Sequence, residues 1–317
     1  MTDSPDTSPR IVVLGSLNMD LVVRVPRAPA AGETLQGRSI DHVPGGKGGN
    51  QAVACARQGA RVRLVGCVGD DAHGRALREA LERDGIDTAS VAVDATAPTG
   101  TALVMVEDGG QNRIVVIAGA NARVAIDEAA LGRQLEGADF LIAQFETPIA
   151  QVARALRAAG HAGCRVLLNP SPAQPVDDAW WTLIDTLVVN EVEAHMLSGH
   201  VAESPADAAA AGQALRRRGV ARVVVTLGAR GAVAVDARGA RHHAAPEVEV
   251  VDTTAAGDTF LGALAVALAR DGDLDAAVRL GIRAGALCVG RPGAQPSVPR
   301  RADVLRGPVP PAWTVLP

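Results

Sequence analysis

The sequence predicts an α/β fold in which a doubly wound, mostly parallel sheet carries helices on both faces and a small antiparallel β lid is added. From Arg10 onward, short runs of β-branched residues alternate with alanine-rich amphipathic runs, which is the pattern of a parallel sheet covered by helices. Two segments interrupt this alternation, and one of them contains a hairpin-turn signal. The 317 residues are 48% hydrophobic, which is enough to bury one large core.

The elements of the main sheet follow one another along the chain. Strands are predicted where β-branched residues cluster: IVVLG from Ile11, VRLVGCVG from Val62, FLIAQF from Phe140, RVLLN from Arg165, TLVVN from Thr186 and RVVVTLG from Arg222. Helices are predicted where alanine-rich amphipathic runs occur: residues 49–58, 74–84, 148–159, 205–218, 257–270 and 274–289. We therefore expect a single domain over residues 10–306, with flexible tails at residues 1–9 and 307–317.

Two inserted segments, at about residues 17–42 and 99–119, have no helical pattern, and EDGGQN in the second is a hairpin signal. Strands inserted between βα units cannot all join the central sheet, so we expect a small antiparallel sheet that covers a site as a lid. Its apolar residues, among them Val104, Val106, Val115 and Ile117, would be exposed on a single chain. We therefore expect a homodimer that pairs two lids under two-fold symmetry.

The composition excludes several classes of function. The formal net charge is −4 and aromatic residues make up only 2% of the chain, with no tyrosine, so nucleic acid and anionic membranes are not expected partners. Four widely spaced cysteines form no C-x-x-C pair, which argues against a zinc knuckle or a disulfide scaffold and favours a reducing compartment. The N-terminus is polar and no apolar run is long enough to span a membrane, so we expect a cytoplasmic protein.

Polar residues recur directly after the predicted strands. Ligands of an open parallel sheet bind beyond the carboxyl ends of its strands, which makes these positions candidates for a site. Each one taken alone is equally well explained as a turn or a helix cap. Together they favour a binding site, and they comprise Asn18, Asp20, Glu146, Asn169, Asn190, Glu193 and Thr226.

The stretch VPGGKGGNQA places four glycines around Lys47 before a predicted helix. Glycines allow the backbone to approach a ligand closely. The stretch is not a Walker P-loop, because Asp41 stands where the first glycine would be needed and no Ser or Thr follows Lys47, and it does not fit G-x-G-x-x-G. A flexible turn would explain two glycines but explains four poorly, so we interpret the stretch as a loop that binds a polyhydroxylated ligand.

The stretch VDTTAAGDTF puts Asp258 in the first turn of a predicted helix behind three small residues. A role as a helix cap alone would be enough to explain an acid at this position. The small residues, however, free successive N–H groups that would form an anion hole, beside which Asp258 would stay ionised and accept a hydroxyl proton. Asp252, six residues earlier, is too distant for that task, and with neighbouring carbonyls it would surround a cation.

These stretches, with GSLNMD, VVNEVEA, TLGARG and GRPGAQPSVP, resemble the PfkB family of carbohydrate kinases from about Ile11 to Pro299. NMD near the start and GAQPSVP near the end are similar to the ribose-specific members. The resemblance implies ATP-dependent phosphorylation of the 5-hydroxyl of D-ribose, with ATP, Mg²⁺ and a monovalent cation, K⁺, as cofactors. It also implies a dimer formed through the lid.

The resemblance implies a role for each motif residue. The sugar hydroxyls would be bound by Asn18, Asp20, Gly46, Lys47, Gly48, Asn50 and Glu146, with Asp258 as the catalytic base. The anion hole would consist of Ala255, Ala256 and Gly257, and the nucleotide site would comprise Asn190 and Glu193 with Mg²⁺ and the phosphates, together with Thr226, Gly228, Gly231 and Gly257. The K⁺ ion would lie among Asp252, Thr254, Cys288, Arg291, Gly293 and Ser297, mostly on backbone oxygens.

Three alternatives stay open at the level of sequence. The chain could phosphorylate another furanose-bearing substrate, deoxyribose or a nucleoside, although a nucleoside base usually needs an aromatic wall and aromatic residues are scarce. A sugar-binding regulator without catalysis would not need Asp258 or the intact AAG turn that precedes it. A generic nucleotide-binding α/β protein would leave the polar cluster on the sugar side unexplained.

Overall fold

The computed structural model describes residues 7–109 and 111–316. In chain order the strands are β1 (Arg10–Leu14), β2 (Asn18–Val25), β3 (Ser39–Gly45), β4 (Arg61–Gly69), β5 (Asp87–Asp94), β6 (Gly100–Glu107), β7 (Asn112–Ile117), β8 (Phe140–Ala143), β9 (Arg165–Leu168), β10 (Thr186–Asn190), β11 (Arg222–Thr226), β12 (Ala232–Asp236), β13 (Gly239–His243) and β14 (Thr314–Leu316). They form a main sheet in the order β14-β13-β12-β11-β10-β9-β8-β1-β4-β5 and a second sheet in the order β3-β2-β6-β7. The main sheet is parallel from β11 to β5 and antiparallel from β11 to β14.

Helices cover both faces of the main sheet. They are α1 (Lys47–Arg57), α2 (Ala72–Arg83), α3 (Glu128–Leu135), α4 (Ile149–Ala162), α5 (Glu191–Ser198), α6 (Pro205–Arg217), α7 (Ala256–Asp271), α8 (Leu274–Cys288) and α9 (Arg301–Arg306). Alternate residues of β1 point to opposite faces: Val12 and Leu14 join the core with α3 to α6, and Ile11 and Val13 join the core with α1, α2, α7 and α8. The doubly wound α/β fold predicted from the sequence is confirmed.

The six predicted strands and six predicted helices of the main sheet are present, with ends that differ by a few residues. Sequence patterns did not predict α3, α5, α9, β5, β12, β13 or β14. The three helices are too short to show a helical period, and β5 buries only two of its eight residues. Strand β13 buries Arg241 and His243, which contact Asp275 at 2.8 and 2.9 Å, so its sequence looks like a surface loop.

The C-terminal segment requires a correction. The sequence predicts a flexible tail at residues 307–317, but residues Thr314–Leu316 pair with β13 as the last strand of the main sheet. Arg279 of α8 also donates to the carbonyls of Pro310 and Pro311 at 2.9 and 2.5 Å, which ties the segment to the body. For the N-terminal tail predicted at residues 1–9, residues 1–6 lie outside the described residues.

The lid sheet has two antiparallel outer pairs, β3 with β2 and β6 with β7, around a parallel central pair of β2 with β6. The central pair is parallel because each insertion leaves the main sheet in the same direction. The EDGGQN turn joins β6 to β7, and its Gly110 lies outside the described residues. Val104 and Val106 line the cavity beneath the lid and are half-buried, which corrects their predicted exposure, whereas Val115 and Ile117 are more than half exposed.

Candidate active site

The candidate site lies at the carboxyl ends of β1 and β8, where the chain order of the parallel strands reverses. The strands added after β1 extend the sheet in one direction through β4, and those added later extend it in the other through β8. A crevice opens at such a reversal, and ligands of doubly wound sheets bind there. The glycine-rich loop before α1 and the first turn of α7 close the crevice. The site therefore brings these two motifs together with the residues that follow β1 and β8.

Asp258 is a buried carboxylate of the site, with 8% of its surface exposed. Its Oδ2 accepts a hydrogen bond from Asn50 Nδ2 at 3.0 Å, and its Oδ1 accepts one from Gln51 Nε2 at 2.9 Å. Burial raises the pKa of Asp258, while Lys47 and the two amides act in the opposite direction. The sequence led us to expect a readily ionised carboxylate, so the raised pKa corrects that expectation, and it makes the ionised form a stronger base.

The first turn of α7 is strained. Ala255 precedes the helix in the left-handed conformation with φ 59°, the only non-glycine residue with positive φ in residues 7–109 and 111–316. Such a backbone persists only where its surroundings impose it, and it is typical of functional turns. The amide of Ala256 donates to the Thr253 carbonyl at 3.2 Å, so this predicted member of the anion hole is already engaged. Gly257 is exposed at the open end of the helix.

The three acids predicted to bind a sugar or its proton, Asp20, Glu146 and Asp258, lie close enough to influence one another. Burial, Glu146 and Asp258 raise the pKa of Asp20 to about 7. Burial alone would lower the pKa of Lys47. The pKa is nevertheless raised, because the negative charges of Asp258, Glu146 and Glu193 stabilise the ammonium group. The cluster therefore holds more acids than its one lysine neutralises, and sugar hydroxyl donors would stabilise it.

Glu146 is held in place by the loop after β1 and by the glycine-rich loop. Its Oε2 accepts from Ser16 Oγ at 2.5 Å and from the Lys47 amide at 3.1 Å. Gly46 precedes α1 with φ 83°, and a Cβ on Gly45 would overlap the Asp20 carboxylate, so geometry favours glycine at both positions. Gly48 packs against the backbone of the loop after β1, where a side chain would clash.

Two asparagines differ in the hydrogen-bonding capacity that they leave free. Asn18 Oδ1 accepts from Asn121 Nδ2 at 2.8 Å, which fixes its amide. Asn50 Oδ1 is buried and has no partner among the described residues. A buried acceptor without a partner is costly, and it lies on the amide that binds Asp258, so a ligand hydroxyl is its natural donor.

The predicted nucleotide residues lie at the ends of β10 and β11. Asn190 and Glu193 form a capping box at the start of α5, in which each side chain accepts from the other's backbone N–H. This structural role is sufficient to explain the pair, yet Glu193 is buried and also raises the pKa of Lys47, so it faces the same cleft. Thr226 follows on β11, and the turn after it needs the positive φ of Gly228 and Gly231.

The predicted cation residues come together where two loops meet near α7. Asp252 joins the loops, because its Oδ1 accepts from Thr254 N and Oγ1 at 2.9 and 2.6 Å and its Oδ2 accepts from Gly293 N at 2.8 Å. Cys288 Sγ lies 3.0 Å from Ser297 Oγ and 3.7 Å from the Thr254 carbonyl oxygen. Burial alone would raise the pKa of Asp252. Hydrogen bonds from Thr254 and Gly293 outweigh this effect and lower the pKa.

In the predicted set the ligands would be the Asp252 carboxylate and backbone carbonyls, which suit a cation that prefers oxygen. The Arg291 N–H donates to the Cys288 carbonyl at 3.0 Å, and the Arg291 side chain is exposed. A cavity of about 1060 Å³ lies beneath the lid. It extends past Asp20 to the two loops that carry Asp252 and Gly293.

Sequence reasoning missed four buried polar residues around these motifs: Ser16, Gln51, Asn121 and Gln144. Each makes hydrogen bonds to a predicted site residue or to another of the set. The available signal was position, because Gln144 lies at the end of FLIAQF and Gln51 directly follows Asn50. Asn169, noted only as one residue after a strand, bonds to Gln51 at 3.2 Å.

The chain is similar to known carbohydrate kinases over nearly its whole length. The family model described as pfkB family carbohydrate kinase matches residues 8–301. A ribokinase of Haemophilus influenzae is 39% identical over 301 residues, which cover 93% of this chain and 97% of that protein, and one of Bacillus subtilis is 39% identical over 297 residues, which cover 93% and 97%. The structure of Arabidopsis thaliana ribokinase complexed with ribose and ATP has a TM-score of 0.88 at 33% identity and covers 94% of this chain and 98% of that one.

Proposed function

We propose a function from one premise: the chain belongs to the pfkB family of carbohydrate kinases. It transfers the γ-phosphoryl group of ATP to the 5-hydroxyl of D-ribose and produces ribose 5-phosphate and ADP. Sequence identity of 39% to ribokinases over 93% of this chain supports this reaction. The similarity to a ribokinase structure complexed with ribose and ATP supports it as well. The observation that carries the assignment is Asp258, a buried carboxylate held by two amides between the sugar-side acids and the start of α7.

The chemistry needs a base and a place for the charge of the phosphoryl group. Asp258 takes the proton of the 5-hydroxyl as that oxygen forms its bond to the γ-phosphorus, and the bond from this phosphorus to the bridging oxygen of ADP breaks. The first-turn N–H groups of α7, above all that of Gly257, stabilise the equatorial oxygens in transit. Asp20, Glu146 and the glycine-rich loop orient the sugar.

The cations complete the site in our proposal. Asn190 and Glu193 would organise Mg²⁺, which would neutralise charge on the ATP phosphates, and the position of Glu193 facing Lys47 supports this role. The loops of Asp252 and Gly293, which adjoin the first turn of α7, would hold K⁺. The K⁺ site would act on the orientation of that turn, because Thr254 immediately precedes Ala255.

The direct test is turnover. Incubation of the protein with ATP and Mg²⁺ should release ADP with D-ribose in preference to deoxyribose, hexoses and nucleosides, and K⁺ should increase the rate. Nucleosides belong in the panel because the cavity of about 1060 Å³ exceeds the volume of a pentose. ADP release with a nucleoside but not with ribose would overturn the substrate assignment, and binding of ribose without any turnover would favour a sugar-binding regulator.

The affinity for ribose should depend on pH through Asp20. The pKa of Asp20 in the free site is about 7, and sugar hydroxyls that donate to this carboxylate select its ionised form. The ribose Kd should therefore fall by up to about tenfold per unit as pH rises towards about 7, and it should level off above about 8. Calorimetry across this range measures the effect, and Asp20→Asn should flatten it. A Kd that does not change with pH would contradict the prediction.

We propose that the protein is a homodimer formed through the outer face of the lid. Leu103, Val115 and Ile117 share that face by register and are 38%, 59% and 56% exposed. Light scattering should give a mass twice that of the 32.4 kDa chain, and Val115→Asp should reduce it to one chain. Val315→Asp, on the far edge of the main sheet where the valine is 71% exposed, is the matched control and should leave the mass unchanged. A wild-type mass of one chain would refute the dimer.

We propose that the protein works in the cytoplasm. Its four cysteines are free thiols, and all four are buried, which suits a reducing compartment. Within the described part of the chain, no helix has the length and apolar character needed to cross a membrane.

A further inference from the structure

A chain of buried side-chain amides ends on the catalytic carboxylate. Gln144 Nε2 donates to Gln51 Oε1 at 2.6 Å, and Gln51 Nε2 donates to Asp258 Oδ1 at 2.9 Å and to Asn169 Oδ1 at 3.2 Å. Gln51 and Gln144 have no exposed surface. We call Gln144, Gln51 and Asn169 the amide relay.

The relay fixes the direction of the Gln51 amide. Asn169 Nδ2 donates to the Val188 carbonyl at 3.1 Å, so the Asn169 oxygen must face Gln51. Gln144 donates to the Gln51 oxygen from the other side. Rotating the Gln51 amide would set its oxygen against the Asn169 oxygen and against the Asp258 carboxylate, so Gln51 can only donate to Asp258.

Gln51 has no polar atom left for substrate, in contrast to its neighbour Asn50. Both Nε2 hydrogens and the Oε1 of Gln51 are used within the protein. Asn50 donates to the other Asp258 oxygen but keeps a buried, unpartnered Oδ1. The two adjacent residues of α1 therefore differ in their contacts. Asn50 binds the base and keeps an acceptor for the sugar, whereas Gln51 binds the base and has no polar atom left for the sugar.

We propose that Gln51, aligned by Gln144 and Asn169, is a positioning residue that holds Asp258 for proton transfer without contacting either substrate. The proposal goes beyond the proposed reaction and uses it only for its kinetic readout. Gln51 supplies a donor that favours the ionised carboxylate, against the burial that disfavours it. The charged and titratable groups facing Asp258 are Lys47 of α1, Glu146 after β8, Asp20 of the lid and the Cys288 thiol of α8.

The kinetic test is Gln51→Met, which keeps the length of the side chain and removes its donor. We expect kcat to fall about 10- to 100-fold, with the KM values for ribose and ATP within about threefold of wild type, since nothing that touches substrate is lost. The acidic limb of the kcat profile should move to higher pH by about half a unit or more. Gln134→Met is the matched control, because Gln134 also accepts a side-chain hydrogen bond, from Ser90 at 3.2 Å, but lies on α3.

Gln51→Glu separates a role in shape from a role in donation. The side chain is nearly isosteric, but it sets a second carboxyl against Asp258, so kcat should fall below that of Gln51→Met. Gln144→Met should act in the same direction as Gln51→Met, and the double variant should be no slower than Gln51→Met alone. Thermal unfolding of each variant, with ribose binding by calorimetry, identifies any variant that fails to fold.

Carboxyl ¹³C NMR of Asp258 tests the relay whatever the substrate proves to be. The midpoint of its titration should lie higher in Gln51→Met than in wild type and should be unchanged in Gln134→Met. An unchanged midpoint together with wild-type kcat in Gln51→Met would overturn the proposal. Failure of the wild type to phosphorylate ribose would instead refute the proposed function, while the NMR midpoints would still decide on the relay.

Discussion

Replacing Asp258 with asparagine is expected to lower kcat by about 10² to 10⁴-fold. The amide has nearly the same shape, but it cannot take the proton of the sugar hydroxyl. The fold and ribose binding should persist, because the oxygen of the introduced amide can still accept from one of the two side chains that bind the carboxylate at 2.9 and 3.0 Å. Single-turnover measurement with saturating ATP and ribose isolates the chemical step from product release.

The matched control for Asp258→Asn is Asp41→Asn. Asp41 is an exposed acid that lines the same cavity from the lid, so its replacement removes one negative charge without touching the proposed base. We expect wild-type kcat within about twofold, since surface charges are screened by solvent. A wild-type rate in Asp258→Asn would leave Asp258 a structural role alone, as the acceptor of the two side-chain amides.

Replacing Asp20 with alanine should weaken ribose binding by about 2 to 3 kcal/mol, or roughly 30- to 150-fold in Kd. The carboxylate lies next to Glu146 and Asp258, and two sugar hydroxyls that donate to it would lose a charged acceptor. Calorimetric titration with ribose measures the loss. The Kd for ATP should change by less than about twofold, because Asp20 lies on the lid strand β2.

Asp41→Ala is the control for this experiment, and it should leave both Kd values unchanged. If Asp20→Ala weakened ribose and ATP equally, Asp20 would serve the fold of the lid. Circular dichroism and gel filtration of the variant distinguish loss of a contact from loss of the lid, since a detached lid would also abolish the proposed dimer.

The parts of the fold that follow from local pattern could be predicted from the sequence. Strand β1 and its neighbours are runs of β-branched residues buried on both faces, and α7 is an alanine-rich run that begins at Ala256. Asp20 was identified because it follows a predicted strand at the end where ligands bind, and Asp258 because it lies in the first turn of a predicted helix behind three small residues. These inferences needed only the order of residues along one short segment.

What the sequence could not predict depends on contacts between distant segments. The amide relay joins positions 93 residues apart in the case of Gln144 and Gln51, and neither glutamine has a local pattern that marks it as buried. The charge of Arg241 in β13 is paired with Asp275 on α8, which local hydropathy cannot show. The engaged amide of Ala256 depends on the left-handed turn at Ala255, a conformation that alanine rarely adopts.

Strand β2 begins at Asn18 and carries Asp20, and the same strand forms the centre of the lid through its pairing with β6. A rotation of the lid would therefore displace a sugar ligand, and lid position and sugar occupancy would then be one linked equilibrium. In that case ribose binding would shift the population towards closed molecules, and the apparent affinity would be the intrinsic affinity scaled by the closed fraction. If one free molecule in about ten were closed, the measured Kd would be about tenfold weaker than that of the closed form. A change at the outer face of the lid, far from any hydroxyl, would then alter sugar affinity through this fraction alone.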